Sequence, residues 1–244
     1  MIPLAEIEAA RDRIAGAAVR TPLVRLPDTD IWLKLENLQP VSSFKIRGAT
    51  NAIRAASSEE LAGGVVTASA GNMAQGVAWA AREAGVPATI ICPDGAPQTK
   101  LDRIESLGGR VIQVPWDEWW QTIVDSRFDG VHGLFVHPVQ DERVMAGNGT
   151  IGLELVADLP DLETVLVPYG GGGLSVDTWA YGWTAGANAG VLFPVGPKVR
   201  LGGLANFYFR NPLKVCVTAN GTDSCASSGV NPVKTIALSF AALL

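Results

Sequence analysis

Val65-Val66-Thr67-Ala68, followed by Ser69-Ala70-Gly71-Asn72 and then Met73-Ala74-Gln75-Gly76, reads as a short buried strand, a tight turn and the start of a helix. Gly63-Gly64 breaks the chain before the strand, and the helix is predicted from about Met73 to Glu83. The alternation continues downstream. Ala88-Thr89-Ile90-Ile91-Cys92 is another apolar strand, Leu101 to Leu107 a helix closed by Gly108-Gly109, and Arg110-Val111-Ile112-Gln113-Val114 a further strand. Short strands alternating with helices need crossover connections, so the chain is predicted to be α/β with a parallel sheet buried on both faces.

Upstream, Leu4 to Val19 carries apolar Leu4, Ile7, Ile14 and Ala18 with acidic residues early and Arg11 and Arg13 late, a surface helix whose charges complement its dipole. Thr21-Pro22 ends it, since the residue before proline is pushed out of the α region. Ile31 to Leu35 alternates as a strand, and Lys45 to Ala56 returns to helical spacing through Ile46, Ala49, Ala52 and Ile53. Thr150 to Val156 is predicted helical, and Thr164-Val165-Leu166-Val167-Pro168 is a buried strand leading into Gly170-Gly171-Gly172-Gly173. Ligands in open α/β sheets gather at the carboxyl edge to which that glycine run belongs. Beyond Ser175 the character changes, and Lys214 to Thr218 is one strand that can be assigned loosely.

The composition describes a compact folded protein with many tight turns. The 244 residues suffice for one large or two small domains, and 48% hydrophobic with 18% charged residues is unlike a disordered chain. A net charge of −5 without a basic stripe argues against nucleic acid as a partner. The start, Met1 to Glu6, lacks a basic leader with an apolar stretch, and no run of about 18 apolar residues occurs, so no membrane association and a cytoplasmic location are expected. Cys92, Cys216 and Cys225 form neither an even set nor a CxxC pair, and His132 and His137 lack ligand spacing, so neither disulfide nor metal is expected. Trp116, Trp119 and Trp120 read as packing or a subunit contact, and Asp158, Asp161 and Glu163 as a solvated turn.

Three short stretches point to chemistry. A lysine near a helix start is usually solvated, but Lys45 has aromatic Phe44 before it, Ser42 and Ser43 to cap the helix, and Gly48 to permit close approach. Such an amine becomes a nucleophile toward an aldehyde if its site is desolvated or cationic. The four glycines at 170 to 173, after a strand, offer unobstructed N–H groups for a phosphate, unless they form a merely flexible loop. The turn from Ser69 to Asn72 offers N–H groups to a carboxylate, or else is a strand-to-helix connection capped by Ser or Asn.

In order and spacing these stretches resemble the fold type II pyridoxal-phosphate enzymes, specifically the serine/threonine dehydratase and serine racemase group. Ser43-Phe44-Lys45-Ile46-Arg47-Gly48 matches the Schiff-base motif, Ser69 to Gly76 the substrate and cofactor loop, and Pro168-Tyr169 with the four glycines and Leu174 the phosphate loop. Asn37-Leu38-Gln39-Pro40, Ala96 to Lys100, Val136-His137-Pro138 and Gly147 to Glu154 are also similar, so the likeness covers about residues 4 to 175. The resemblance implies two open, twisted, mostly parallel sheets flanked by helices, as in the tryptophan synthase β-like fold, with an atypical C-terminal part. It implies a larger domain of residues 1–40 and 141–244, and a smaller substrate-side domain of residues 41–140.

The resemblance further implies pyridoxal 5'-phosphate as cofactor, held by Lys45 as a Schiff base, with Lys45 also moving the substrate α-proton. Phe44 would pack on the ring and Asn72 bond its oxygen. Ser69, Ala70, Gly71, Asn72 and Met73 would hold the substrate carboxylate, and Gly170, Gly171, Gly172, Gly173 and Leu174 the phosphate. The implied reaction is dehydration and deamination of a small β-hydroxy amino acid such as L-threonine or L-serine to a 2-oxo acid and ammonia, in a homo-oligomer, dimer or tetramer. Racemases of the group carry a serine second base where this chain has Ala70, which favours elimination, and Met73 replaces a frequent histidine. After Ser175 the family pattern does not align, and Ser227 or Ser228 are the candidates for the ring-nitrogen partner. Serine racemase-type chemistry and a cofactor-binding chain without turnover are the alternatives.

Overall fold

The computed structural model describes residues 2–169 and, beyond them, the strands at residues 188–189, 205–209, 214–219, 222–227 and 235–238. Along the chain lie α1 (Leu4–Arg13), β1 (Leu23–Arg25), β2 (Ile31–Lys34), α2 (Lys45–Arg54), β3 (Val65–Ala68), α3 (Asn72–Glu83) and β4 (Ala88–Pro93). There follow α4 (Gln98–Ser106), β5 (Gly109–Val114), α5 (Trp116–Asp125), β6 (Leu134–Phe135), α6 (Glu142–Asp158), β7 (Thr164–Leu166) and β8 (Pro168–Tyr169). The strands β9 (Asn188–Ala189), β10 (Ala205–Phe209), β11 (Lys214–Ala219), β12 (Thr222–Ser227) and β13 (Thr235–Leu238) complete the set. The chain forms two compact units, one of Thr21–Glu36 with Ile151–Leu244, the other of Ile2–Arg20 with Asn37–Thr150.

The second unit is the α/β layer that the Val65–Gly76 stretch predicts. Its sheet has the order β5-β4-β3-β6 and every pairing is parallel. All four residues of β3 are buried, as a strand covered on both faces requires. On one face α2 and α3 pack with Val65, Ile90 and Val136 into the main core. On the other, Trp119 and Trp120 of α5 pack against the cluster of Val66, Ala68, Ile91, Val114 and Ile123. The packing role expected of the tryptophans therefore holds for these two, while Trp116 is 57% exposed and tilts against Trp119 at 4.8 Å between centroids.

Several boundaries differ from expectation for identifiable reasons. The first helix stops at Arg13 rather than Val19, and Gly16 just beyond takes a left-handed φ of +78°. The helix expected from Thr150 begins at Glu142, where Asp141 Oδ1 accepts the N–H groups of Arg143 at 2.8 Å and Val144 at 3.4 Å. Gly147 and Gly149 lie inside this helix instead of breaking it. A Cβ on Gly147 would stand 2.5 Å from the Arg47 carbonyl oxygen and 2.8 Å from the Gly48 Cα, so the glycine is what lets α6 touch α2. The same crossing is bonded, with Gly48 N–H donating to Asn148 Oδ1 at 3.1 Å.

In the first unit β2, β13 and β7 pair in parallel, with β1 antiparallel on the edge. Lys34 at the end of β2 is fully buried, donating to the Thr21 carbonyl at 2.6 Å and pairing with Glu154 at 2.5 Å. The single strand expected over Thr164–Pro168 is two. Pro168 has no N–H for a continuing ladder, and Pro168–Tyr169 joins a separate five-stranded antiparallel sheet of order β12-β11-β10-β9-β8. That sheet contains the strand expected at Lys214. No helix among the described residues is long and apolar enough to cross a membrane.

Candidate active site

Lys45 is the first residue of α2, and almost the whole helix is enclosed, with every residue from Lys45 to Ile53 buried. That enclosure has named causes: α3 lies along one side, α6 crosses at Gly48, and the buried Arg47 guanidinium donates to Thr150 Oγ1 and the Val19 carbonyl, both at 3.1 Å. The approach to the helix is a tight turn in which Ser42 N–H donates to the Gln39 carbonyl at 2.7 Å and Ser42 takes a left-handed φ of +56°. Capping by Ser42 and Ser43 is realised only in part. Phe44 holds the cap position without a side-chain bond, and the Ser43 hydroxyl accepts the Lys45 N–H at 3.3 Å.

The Lys45 ammonium nitrogen lies 5.1 Å from the centroid of the buried Phe44 ring. Burial pushes the amine down from its ordinary 10.5 to about 8. About a tenth of such amines are neutral near pH 7, a population that an ordinary solvated lysine lacks. Desolvation is thus the cause of the lowered amine pKa.

The Ser69 turn is fixed by three bonds at the carboxyl edge of the parallel sheet. Ser69 N–H donates to the Ile91 carbonyl at 3.0 Å, its own carbonyl accepts the Cys92 thiol at 3.2 Å, and its hydroxyl accepts the Gly71 N–H at 3.1 Å. Burial raises the Cys92 thiol to about 12, which keeps it a neutral donor. Neither Ser69 nor Asn72 caps α3. The cap position is Gly71, Asn72 is the first helical residue, and the first helical bond runs from Gln75 N–H to the Gly71 carbonyl at 3.3 Å. The N–H groups of Asn72, Met73 and Ala74 therefore have no carbonyl one turn back and form the positive end of the helix. Ser69, Ala70, Gly71 and Asn72 are partly exposed, whereas Met73 is 3% exposed among core residues.

The helices that carry these two groups pack against each other. Gly76, one turn into α3, presses on the Lys45–Ile46 peptide, where an added Cβ would lie 3.1 Å from the Lys45 carbonyl oxygen. Cys92 and Gly76 are the contributors that sequence reasoning missed: a buried thiol gives no local signal, and Gly76 registers only as the end of a motif. Gly170, Gly171, Gly172, Gly173 and Leu174 lie outside the described residues, as does Ser228, and Ser227 is described only as the end of β12. No group of three or more His, Cys, Asp or Glu that could hold a metal occurs among the described residues.

A family model described as pyridoxal-phosphate dependent enzyme matches residues 14–192, which include both helices of the site. The chain belongs to that family. Within it, the chain is 46% identical over 182 residues to an L-threonine ammonia-lyase of Thermotoga maritima, a match covering 71% of this chain and 45% of the relative. Among solved structures of the family, maize serine racemase superposes with a TM-score of 0.64 at 34% identity, covering 70% of this chain and 54% of the other. The processed form of threonine deaminase isoform 2 from Solanum lycopersicum superposes with a TM-score of 0.58 at 36% identity, covering 68% and 50%. The chain spans about half the length of the curated relatives it matches.

Proposed function

We propose that this pyridoxal-phosphate family member carries out β-elimination on a small β-hydroxy amino acid such as L-threonine or L-serine, giving the 2-oxo acid and ammonia. The observation that carries the reading is the buried Lys45 amine, lowered to about 8, at the start of a helix that packs against the helix opening with Asn72. The names of the relatives, threonine ammonia-lyase and threonine deaminase, agree with it.

The residues fit the cofactor. A desolvated amine suits condensation with an aldehyde, the Phe44 ring beside it offers a flat apolar surface, and the partly exposed Asn72 amide can bond a phenolic oxygen. Gly170 to Gly173 with Leu174 are assigned to the phosphate. Once bound, pyridoxal phosphate supplies the electron-withdrawing ring that acidifies the substrate α-carbon.

The chain's own part is to bind, orient and move protons. The free N–H groups at the tip of α3 and the Ser69 turn hold the carboxylate, where the helix end favours negative charge. The Lys45 amine, neutral for part of the time, takes the α-proton. The β-hydroxyl leaves as water, and water re-enters when ammonia is released, so the net change is threonine to 2-oxobutanoate and ammonium. Ala70 has no exchangeable proton, which favours elimination over a second-base racemisation. In this reading residues 41–140 form the substrate-side domain and residues 1–40 with 141–244 the phosphate-binding one, in a cytoplasmic homo-oligomer.

Pyridoxal phosphate added to the purified chain should produce a visible absorbance band that Lys45→Ala does not form. A coloured protein should then release 2-oxo acid from L-threonine or L-serine. A colourless chain would refute the cofactor assignment, and a coloured chain without product would leave a binding protein without turnover. Conversion of L-serine to D-serine without 2-oxo acid would favour the racemase reading.

A further inference from the structure

Gly76 is buried in α3, one turn past Asn72. A Cβ placed there would meet the Lys45 carbonyl oxygen at 3.1 Å, its carbonyl carbon at 3.2 Å and the Ile46 nitrogen at 3.3 Å. All three are backbone atoms, so no side-chain rotation can relieve the crowding. The start of α2 would have to move by a few tenths of an ångström.

The far side of α2 is closed as tightly. A Cβ on Gly48 would lie 2.8 Å from the Val144 carbonyl oxygen, and one on Gly147 would lie 2.5 Å from the Arg47 carbonyl oxygen. α2 is therefore held between two glycine contacts, and a shift forced at the Lys45 carbonyl passes through one covalent bond to the Cα that carries the amine.

We propose that Gly76 is a positioning residue, whose missing side chain sets the depth at which Lys45 stands against the helix tip carrying Ser69 to Asn72. The inference rests on the reading of Lys45 as the cofactor-bearing lysine. It adds that the spacing between amine and helix tip is fixed by a glycine that touches neither cofactor nor substrate.

The test compares the 244-residue chain with Gly76→Ala, and with Gly149→Ala as a control. A Cβ at Gly149 meets Ile7 side-chain atoms at 3.0, 3.2 and 3.3 Å, similar crowding but against a flexible neighbour on α1. Far-ultraviolet dichroism and melting establish folding. Two readouts follow: the rate at which the visible band grows after adding pyridoxal phosphate, with borohydride fixation at Lys45 read by peptide mass, and the rate at which an amine reagent labels Lys45 in the cofactor-free chain. Gly76→Ala should form the band about ten-fold more slowly, since misplacement of a reacting group by about 1 Å costs roughly 100-fold. The labelling rate of the displaced amine near pH 8 should differ from the parent's by about three-fold, since a shift of α2 alters both its access to the reagent and its burial. Gly149→Ala should match the parent in both.

Parental rates in a folded Gly76→Ala would overturn the inference and leave the lysine assignment standing. A parent that forms no band and fixes no cofactor at Lys45 would overturn both. A Gly76→Ala chain that does not fold while Gly149→Ala does would assign the glycine to the architecture alone and overturn the positioning role.

Discussion

Replacing Lys45 by methionine should stabilise the cofactor-free chain near neutral pH. The amine is lowered from 10.5 to about 8 by burial, and at about 1.4 kcal/mol per pH unit that difference amounts to about 3 kcal/mol for keeping the ammonium in its site. The unfolded chain holds the proton up to 10.5 and the folded chain only to about 8, so between those values the unfolded state binds more protons and stability rises with pH. The penalty is complete below about 8 and gone above 10.5. Methionine has a similar unbranched stem and volume, so the cavity term is small. The expected gain is about 3 kcal/mol near pH 7, shrinking toward zero at about pH 10.5. Urea denaturation of parent and variant across this range measures it, and comparison of the pair cancels the titration of every other group. A variant less stable than the parent near pH 7, or a difference that does not change with pH, would refute the claim that desolvation activates this amine.

Other perturbations probe the frame around the site. Gly147→Ala should lose about 3 kcal/mol or more in the same urea assay, because its Cβ would fall 2.5 Å from the Arg47 carbonyl oxygen and 2.8 Å from Asn51 Cβ; unchanged stability would mean that α2 and α6 do not touch there. His137 Nδ1 accepts the N–H groups of Val139 at 3.0 Å and Gln140 at 2.9 Å, and burial holds the imidazole below its ordinary 6.5. Its contribution is therefore fully present above 6.5 and is lost as the pH falls through the lowered value, so thermal melts of His137→Asn should show a shallower loss on the acid side than the parent. Cys92 should resist a thiol reagent in the native chain and react on denaturation, as followed by peptide mass, since burial raises its thiol to about 12; rapid native labelling would contradict its bond to the Ser69 carbonyl.

What could be read from the sequence, and what could not, divides along a physical line. Val65–Ala68 matches its expected bounds because a β-branched run between glycines and a polar turn has few other solutions, and Asn72–Glu83 begins one residue early for the same local reasons. α5 is absent from the expected elements because Trp116, Trp119 and Trp120, with Asp117 and Glu118 among them, read only as packing or a subunit contact. They form a helix whose first turn is acidic and whose Trp119 and Trp120 are drawn to the sheet. Gly147 and Gly149 read locally as a break, at about 1 kcal/mol each against helix, yet α6 runs through them because closeness to α2 is worth more. In each failure a contact distant in sequence outweighed a local preference.

The same contrast governs the site. The neighbours of Lys45 in the chain, Ser43, Phe44 and Gly48, identify the motif but do not by themselves enclose the helix that carries it. Its position on an enclosed helix depends on Gly76, Val144, Asn148 and Thr150, which lie far along the sequence and pack or bond around α2. The Ser69 turn likewise carries its own recognisable pattern, but it is held still by Ile91 and Cys92 from the next strand. Candidate site residues are thus legible as a local string, while the burial around Lys45 and the bonds of the Ser69 turn come from residues distant in the sequence. A substitution at Gly76 or Cys92 should accordingly alter the behaviour of Lys45 or of the Ser69 turn while leaving every motif residue in place.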